Sequence, residues 1–123
     1  MRTAPLFGAL SERPWEKTDF AADRVPCIAG GPDTFALHVE GDIIDKVLPD
    51  GSIAGFDPSE TEFEDQGIFM LRVGTNDGVI VRRFDQASMS LLSVSTNARY
   101  KDIKIGSTPF LMDARLVWGT RTF

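Results

Sequence analysis

From Thr34 onward the chain alternates short apolar runs with turn signals, which is the pattern of a mainly β domain. Phe35, Leu37 and Val39 alternate with Ala36, His38 and Glu40, so this stretch predicts a strand with one buried and one wetter face. "SIAGFDP" follows the Asp50-Gly51 turn and stops at Pro58. "GIFMLRV" and "GVIVRRF" flank Gly74 to Gly78, where Asn76-Asp77-Gly78 signals a hairpin. "MSLLSVS", a short "IKI" and "LMDARLVWGTRTF" complete about seven expected strands with no convincing long helix. The expected fold is mainly β, either curved packed sheets or barrel-like. Ahead of it, Pro5, Pro14, Pro26 and Pro32 break helices and remove ladder donors. Residues 1–33 therefore read as an extended N-terminal arm and 34–123 as the β domain. "PLFGAL" is one short strand within the arm, and Glu16 to Arg24 a weak helical turn.

Composition narrows the function. A chain of 123 residues with 42% apolar and 25% charged residues fits one ordinary globular domain. A net charge of -5 argues against a direct nucleic-acid surface. Arg82-Arg83 and Arg99-Tyr100-Lys101 are short and stand among neutral residues. With one cysteine, Cys27, and one histidine, His38, an internal disulfide and a cysteine-rich metal site are excluded, and no cofactor or metal is expected. No run approaches the roughly 18 apolar residues of a membrane span, and Met1-Arg2 leads into no signal-peptide core, so a cytoplasmic location without membrane contact is expected.

Single residues carry little chemistry. His38 has no serine or cysteine partner nearby in sequence and reads as a surface or half-buried strand histidine. Cys27 lacks the basic neighbours that lower a thiol pKa. Asp57 to Asp65 is acidic but lacks the alternation and central glycine of a calcium loop, so it reads as a solvated connection. "AGGP" lacks the spacing of a phosphate loop, and no GxSxG elbow occurs.

The order of pieces says more. "FALHVEGD", then "DKVLPDGSIAGFDP", "GIFMLRV" and "GVIVRRF" resemble the LexA/signal-peptidase-like domain, the C-terminal half of LexA-like and phage-type repressors. Gly41-Asp42 matches the family's Gly-Asp-Ser-Met-Glu-Pro turn, with Asp45 where glutamate is usual. Val81-Arg82-Arg83-Phe84 occupies the place of Val-Lys-Arg-Leu. Ser95 to Ile105 is similar to its Asn-Pro-x-Tyr-x-x-Ile stretch, and "DARLVWGTRTF" to its closing strand. "VPCIAGGPDTFALHV" is nearest the phage-repressor branch.

The resemblance implies a Ser/Lys dyad in which a desolvated, neutral lysine activates a serine for self-cleavage. Here Ile43 stands at the serine position and Arg82 at the lysine position. Isoleucine offers no nucleophile, and arginine keeps its proton in proteins. The segment after the first strand reads Ala9-Leu10-Ser11-Glu12-Arg13 in place of a small Ala-Gly pair, and Ala29-Gly30 aligns with the linker instead. An engineered loss of the serine normally leaves alanine, so this pair of replacements reads as inherited.

The expected function is a catalytically inactive dimerisation or oligomerisation domain of a phage-type or LexA-like repressor. It would meet DNA only through a helix-turn-helix head that this chain does not carry. The alternatives are a stand-alone headless adaptor, a polymerase-accessory-like interaction protein and an engineered-inactive self-cleaving serine peptidase domain. The closing strand is expected to be an exposed edge through which the domain forms a homodimer or higher oligomer. Leu116, Trp118, Thr120, Thr122 and Phe123 are the interface candidates.

Overall fold

The computed structural model describes residues 2–10, 23–73, 79–106 and 109–120. Nine strands occur among them: β1 (Thr3–Leu10), β2 (Asp23–Pro26), β3 (Phe35–Val39), β4 (Ile53–Asp57), β5 (Ile68–Val73), β6 (Val79–Asp85), β7 (Ser90–Ser93), β8 (Ile103–Lys104) and β9 (Phe110–Thr120). They form one sheet in the order β2-β1-β3-β4-β9-β5-β6-β7-β8, and no helix appears among the described residues. Only the β1–β3 pair is parallel. The mainly β expectation holds. "PLFGAL" is part of β1, and the two runs around the Asn76-Asp77-Gly78 signal are the antiparallel neighbours β5 and β6. The hairpin turn itself, Trp15, Phe20 and most of Glu16–Arg24 lie outside the described residues.

The sheet curls, because residues from both of its halves meet in one central cluster. Phe7, Phe35, Leu37, Val39, Ala54 and Phe56 from β1, β3 and β4 share it with Met70, Val79, Val81 and Ala114 from β5, β6 and β9. Phe35 stacks on Phe56 at 6.0 Å and meets the edge of Phe7 at 6.2 Å. Period-2 alternation sends the next residues to the outer face, where two smaller clusters lie. One gathers Ala4, Leu6, Cys27, Ala36 and Trp118 on the β1–β3–β4–β9 half. The other gathers Phe69, Leu71, Phe84 and Leu91 on the β5–β7 half. Ala36 is fully buried although it lies on the face expected to be wetter, because the Trp118 cluster covers it. His38, two residues on, is exposed.

The described part of the expected arm belongs to this sheet. β1 lies between β2 and β3, and Leu6 and Phe7 are buried. Pro5, which has no N–H to give, is accommodated opposite Arg24 in the β1–β2 pair.

The closing strand stands between β4 and β5 in the sheet order, and from Leu116 to Thr120 its ladder runs along β4 alone. β9 bridges the two halves of the sheet: Phe110 to Arg115 pairs with β5, and Arg115 to Thr120 pairs with β4. Trp118 is 7% exposed and packs within the protomer. Leu116 packs against the central cluster, and Thr120 is exposed. Thr122 and Phe123 lie outside the described residues. The sheet's actual margins are β2 and β8.

Candidate functional site

The Gly41–Leu48 turn joins β3 to β4 and begins at Gly41, whose φ of 68° suits glycine. Bonds from the Val47 and Leu48 N–H groups to the Ile44 carbonyl, at 2.8 and 2.9 Å, close one compact turn. Its Asp-Ile-Ile-Asp sequence divides cleanly. Ile43 and Ile44 are 2% and 0% exposed and enter the central cluster beside Val94. The two aspartates turn instead to the segment that follows β7. The Asn97 amide donates to the Asp42 carboxylate at 2.8 Å. The Thr96 hydroxyl and N–H donate to the two Asp45 oxygens at 2.5 and 2.7 Å. The Ser95 hydroxyl donates to the Asp42 carbonyl, and Lys46 N–H donates to the Val94 carbonyl at 3.0 Å. The Thr96 hydroxyl, and then its N–H, hold the Asp45 carboxyl below its usual pKa of 3.8.

Arg82 occupies the middle of β6, opposite Phe69 on β5 and Ser93 on β7. That register puts it on the outer face with Phe69 and Phe84, while Val79 and Val81 turn to the central cluster. Its side chain is buried at 4% exposure. Nε donates to the Lys101 carbonyl and Nη1 to the Val81 carbonyl, each at 2.9 Å. The guanidinium thus ties the segment after β7 back onto β6. The turn carrying Ile43 is clamped to the same segment at Val94–Asn97.

This arrangement braces the turn against the segment after β7. Ile43 contributes only hydrocarbon to the core. Among the described residues, the hydroxyl bonded to this turn from the buried side is that of Ser95, 5% exposed. Besides donating to Asp42, it accepts the Asn97 N–H at 3.0 Å. No base touches it in these bonds.

The Ala29–Gly31 strap lies on the other half of the sheet and is pinned by Asp57. That carboxylate accepts the Gly31 N–H at 2.7 Å, and the Ser59 hydroxyl and N–H at 2.6 and 2.9 Å. Burial raises the Asp57 pKa, but the Ser59 hydroxyl, the two N–H groups and the charge of Arg2 together bring it below 3.8. The Cys27 thiol is buried and donates to the Ala29 carbonyl at 3.2 Å.

The loop clamp and Asp57 are sites that the sequence patterns did not single out. Asp57-Pro58-Ser59 carries the signal of an Asx-type turn, and Ser95-Thr96-Asn97 has the side chains of a capped turn. Neither signal names a partner 26 or 55 residues away. Among the described residues, no group of three or more His, Cys, Asp or Glu side chains is placed to hold a metal ion, and no helix is long and apolar enough to cross a membrane.

The family model described as Peptidase S24-like matches residues 9–116. No curated protein matches the sequence. The matched span contains the Gly41–Leu48 turn and β6, the two elements that carry Ile43 and Arg82.

Proposed function

The chain belongs to the Peptidase S24-like family, and from that premise we propose that it is a non-cleaving member, an association domain of a phage-type or LexA-like repressor. The observation that carries this reading is Ile43. At the position that resembles the family's nucleophile, a side chain without a polar atom is 2% exposed in the central cluster. Arg82 supports it from the base side, since its guanidinium is a donor, here to two carbonyls, and offers no acceptor for a serine proton. DNA contact is left to a separate basic head, in keeping with the net charge of -5.

The test is incubation at alkaline pH, where a lysine base would lose its proton, followed by mass spectrometry of the intact chain. The expected result is no cut. Discrete fragments from cleavage between Ala9 and Arg13, or at Ala29-Gly30, would overturn the reading. Ile43→Ser alone is expected to leave the chain uncut because Arg82 cannot accept the proton.

A further inference from the structure

The outer face of the β5–β8 half is apolar but incompletely covered by the described chain. Phe63, Ile80, Ile103, Ile105 and Met112 pack on the buried cluster there and are themselves half-exposed. Phe110, whose ring lies 5.1 Å from that of Phe63, is 39% exposed.

The two margins of this face carry opposite charge. On the β9 side begins the connection before β5, where Glu60, Glu62 and Glu64 are exposed, before it crosses to β6 and the Asp65 carboxylate accepts the Gln86 N–H. Glu64 ties it to β9 through Arg115 at 2.7 Å. On the far side is the sheet edge, β8 and its lead-in, where Arg99, Lys101 and Lys104 are exposed. The acid among them, Asp102, already accepts the Ser93 N–H at 2.7 Å.

We infer that a second copy of this chain docks on this face about a two-fold axis, with the acidic connection of each copy against the basic edge of the other. The inference rests on the reading of the domain as an association module and names the surface that does the associating. A two-fold interface must be self-complementary, because the same patch appears on both sides. An apolar field with one acidic and one basic margin meets that condition, since a half-turn superposes each margin on its opposite. The same charge pattern fixes orientation, because the parallel alternative sets acid against acid. A chain of net charge -5 repels its own copies in most orientations, so a face that pairs unlike charge is favoured over the rest of the surface.

The experiment is sedimentation of the whole chain at two salt concentrations, with far-UV circular dichroism and thermal unfolding to show that each variant is folded. Wild type is expected to dimerise, more weakly at high salt. Glu62→Lys and Lys104→Glu, both at exposed positions, are each expected to raise the dissociation constant about tenfold, and the double reversal to recover most of that loss. Phe110→Ser is expected to weaken the dimer without the salt dependence. A dimer indifferent to both reversals and to Phe110→Ser, or one that the double reversal fails to restore, overturns this surface and leaves the association reading standing. A wild-type chain that stays monomeric at millimolar concentration overturns both the surface and the association reading, whereas the alkaline incubation reports on cleavage independently of either.

Discussion

Trp118 on β9 lies flat against Gly55 on β4. The two residues are register partners, and a Cβ placed on Gly55 would fall inside the van der Waals envelope of the indole. The ladder is irregular immediately beyond this pair, where Gly55 pairs with Trp118 but Phe56 pairs with Leu116. A bulge and a glycine together make room for the largest side chain of the outer cluster. Among the described residues the buried indole Nε1 meets no hydrogen-bond partner, and the ring packs on Gly55 and the outer cluster.

Gly55→Ala should therefore destabilise the protein by about 1–3 kcal/mol, the usual cost of overpacking, and Trp118→Ala by about 3–5 kcal/mol through the cavity it leaves. Urea or thermal unfolding measures both. A Trp118→Ala chain that kept its full stability and lost only its oligomeric state would contradict the burial of Trp118 within the protomer.

Ile43→Ser places a hydroxyl in the cluster that holds Leu37, Ile44 and Phe56. The expected loss is roughly 2–4 kcal/mol, combining the missing hydrocarbon with an unpaired buried oxygen. Ile43→Val, which keeps the apolar character, should cost only about 1 kcal/mol. If the serine variant matched wild type in denaturant titration, the turn would not be plugging the core as described.

Thr96→Ala removes the hydroxyl that does most to hold Asp45 charged. The Asp45 pKa should rise toward its ordinary value, followed by NMR of the carboxyl carbon. A Thr96→Ser variant, which keeps the donor, should leave it low. An unchanged Asp45 titration in the alanine variant would show that the loop clamp is absent in solution.

Asp57 sets a pH limit on the strap. Its pKa is lower folded than unfolded, so its contribution is fully present above about pH 4 and is lost as pH falls through the folded value. Stability should thus fall on acidification below about pH 4. Asp57→Asn should cost about 1–3 kcal/mol at neutral pH and flatten that part of the profile, because an amide must turn a donor of its own toward N–H and O–H donors that the carboxylate accepts. Equal acid sensitivity in wild type and Asp57→Asn would remove Asp57 from this role.

Much of the fold was legible because a strand with one covered face writes its burial into the sequence with period two. Phe35, Leu37 and Val39 are buried as the alternation predicts. Ala36 is not legible in the same way, since its burial depends on Trp118, far along the chain on β9. The neighbours of the closing strand were hidden for a related reason. "LVWGT" carries no local sign of which strand it meets, and the β4 ladder supplies that neighbour from far earlier in the chain. The site positions Ile43 and Arg82 were readable from the order of motifs, but their surroundings were not. Nothing local to Asp42 or Asp45 announces Asn97 or Thr96 as partner, because a side-chain bond between distant loops leaves no periodic trace.

The central place of β9 also bears on how the chain is made. β1 to β4 and β5 to β8 are each contiguous in sequence, yet they touch as one sheet only through β9, the last strand described. A ribosome releasing the chain from its N-terminus must finish both halves before the strand that joins them emerges, so each half waits with an unpaired edge, on β4 and on β5. Nascent chains stalled with residues 110–120 still inside the exit tunnel should remain protease-sensitive. Those carrying an added C-terminal linker long enough to push β9 out of the tunnel should become resistant in a single step.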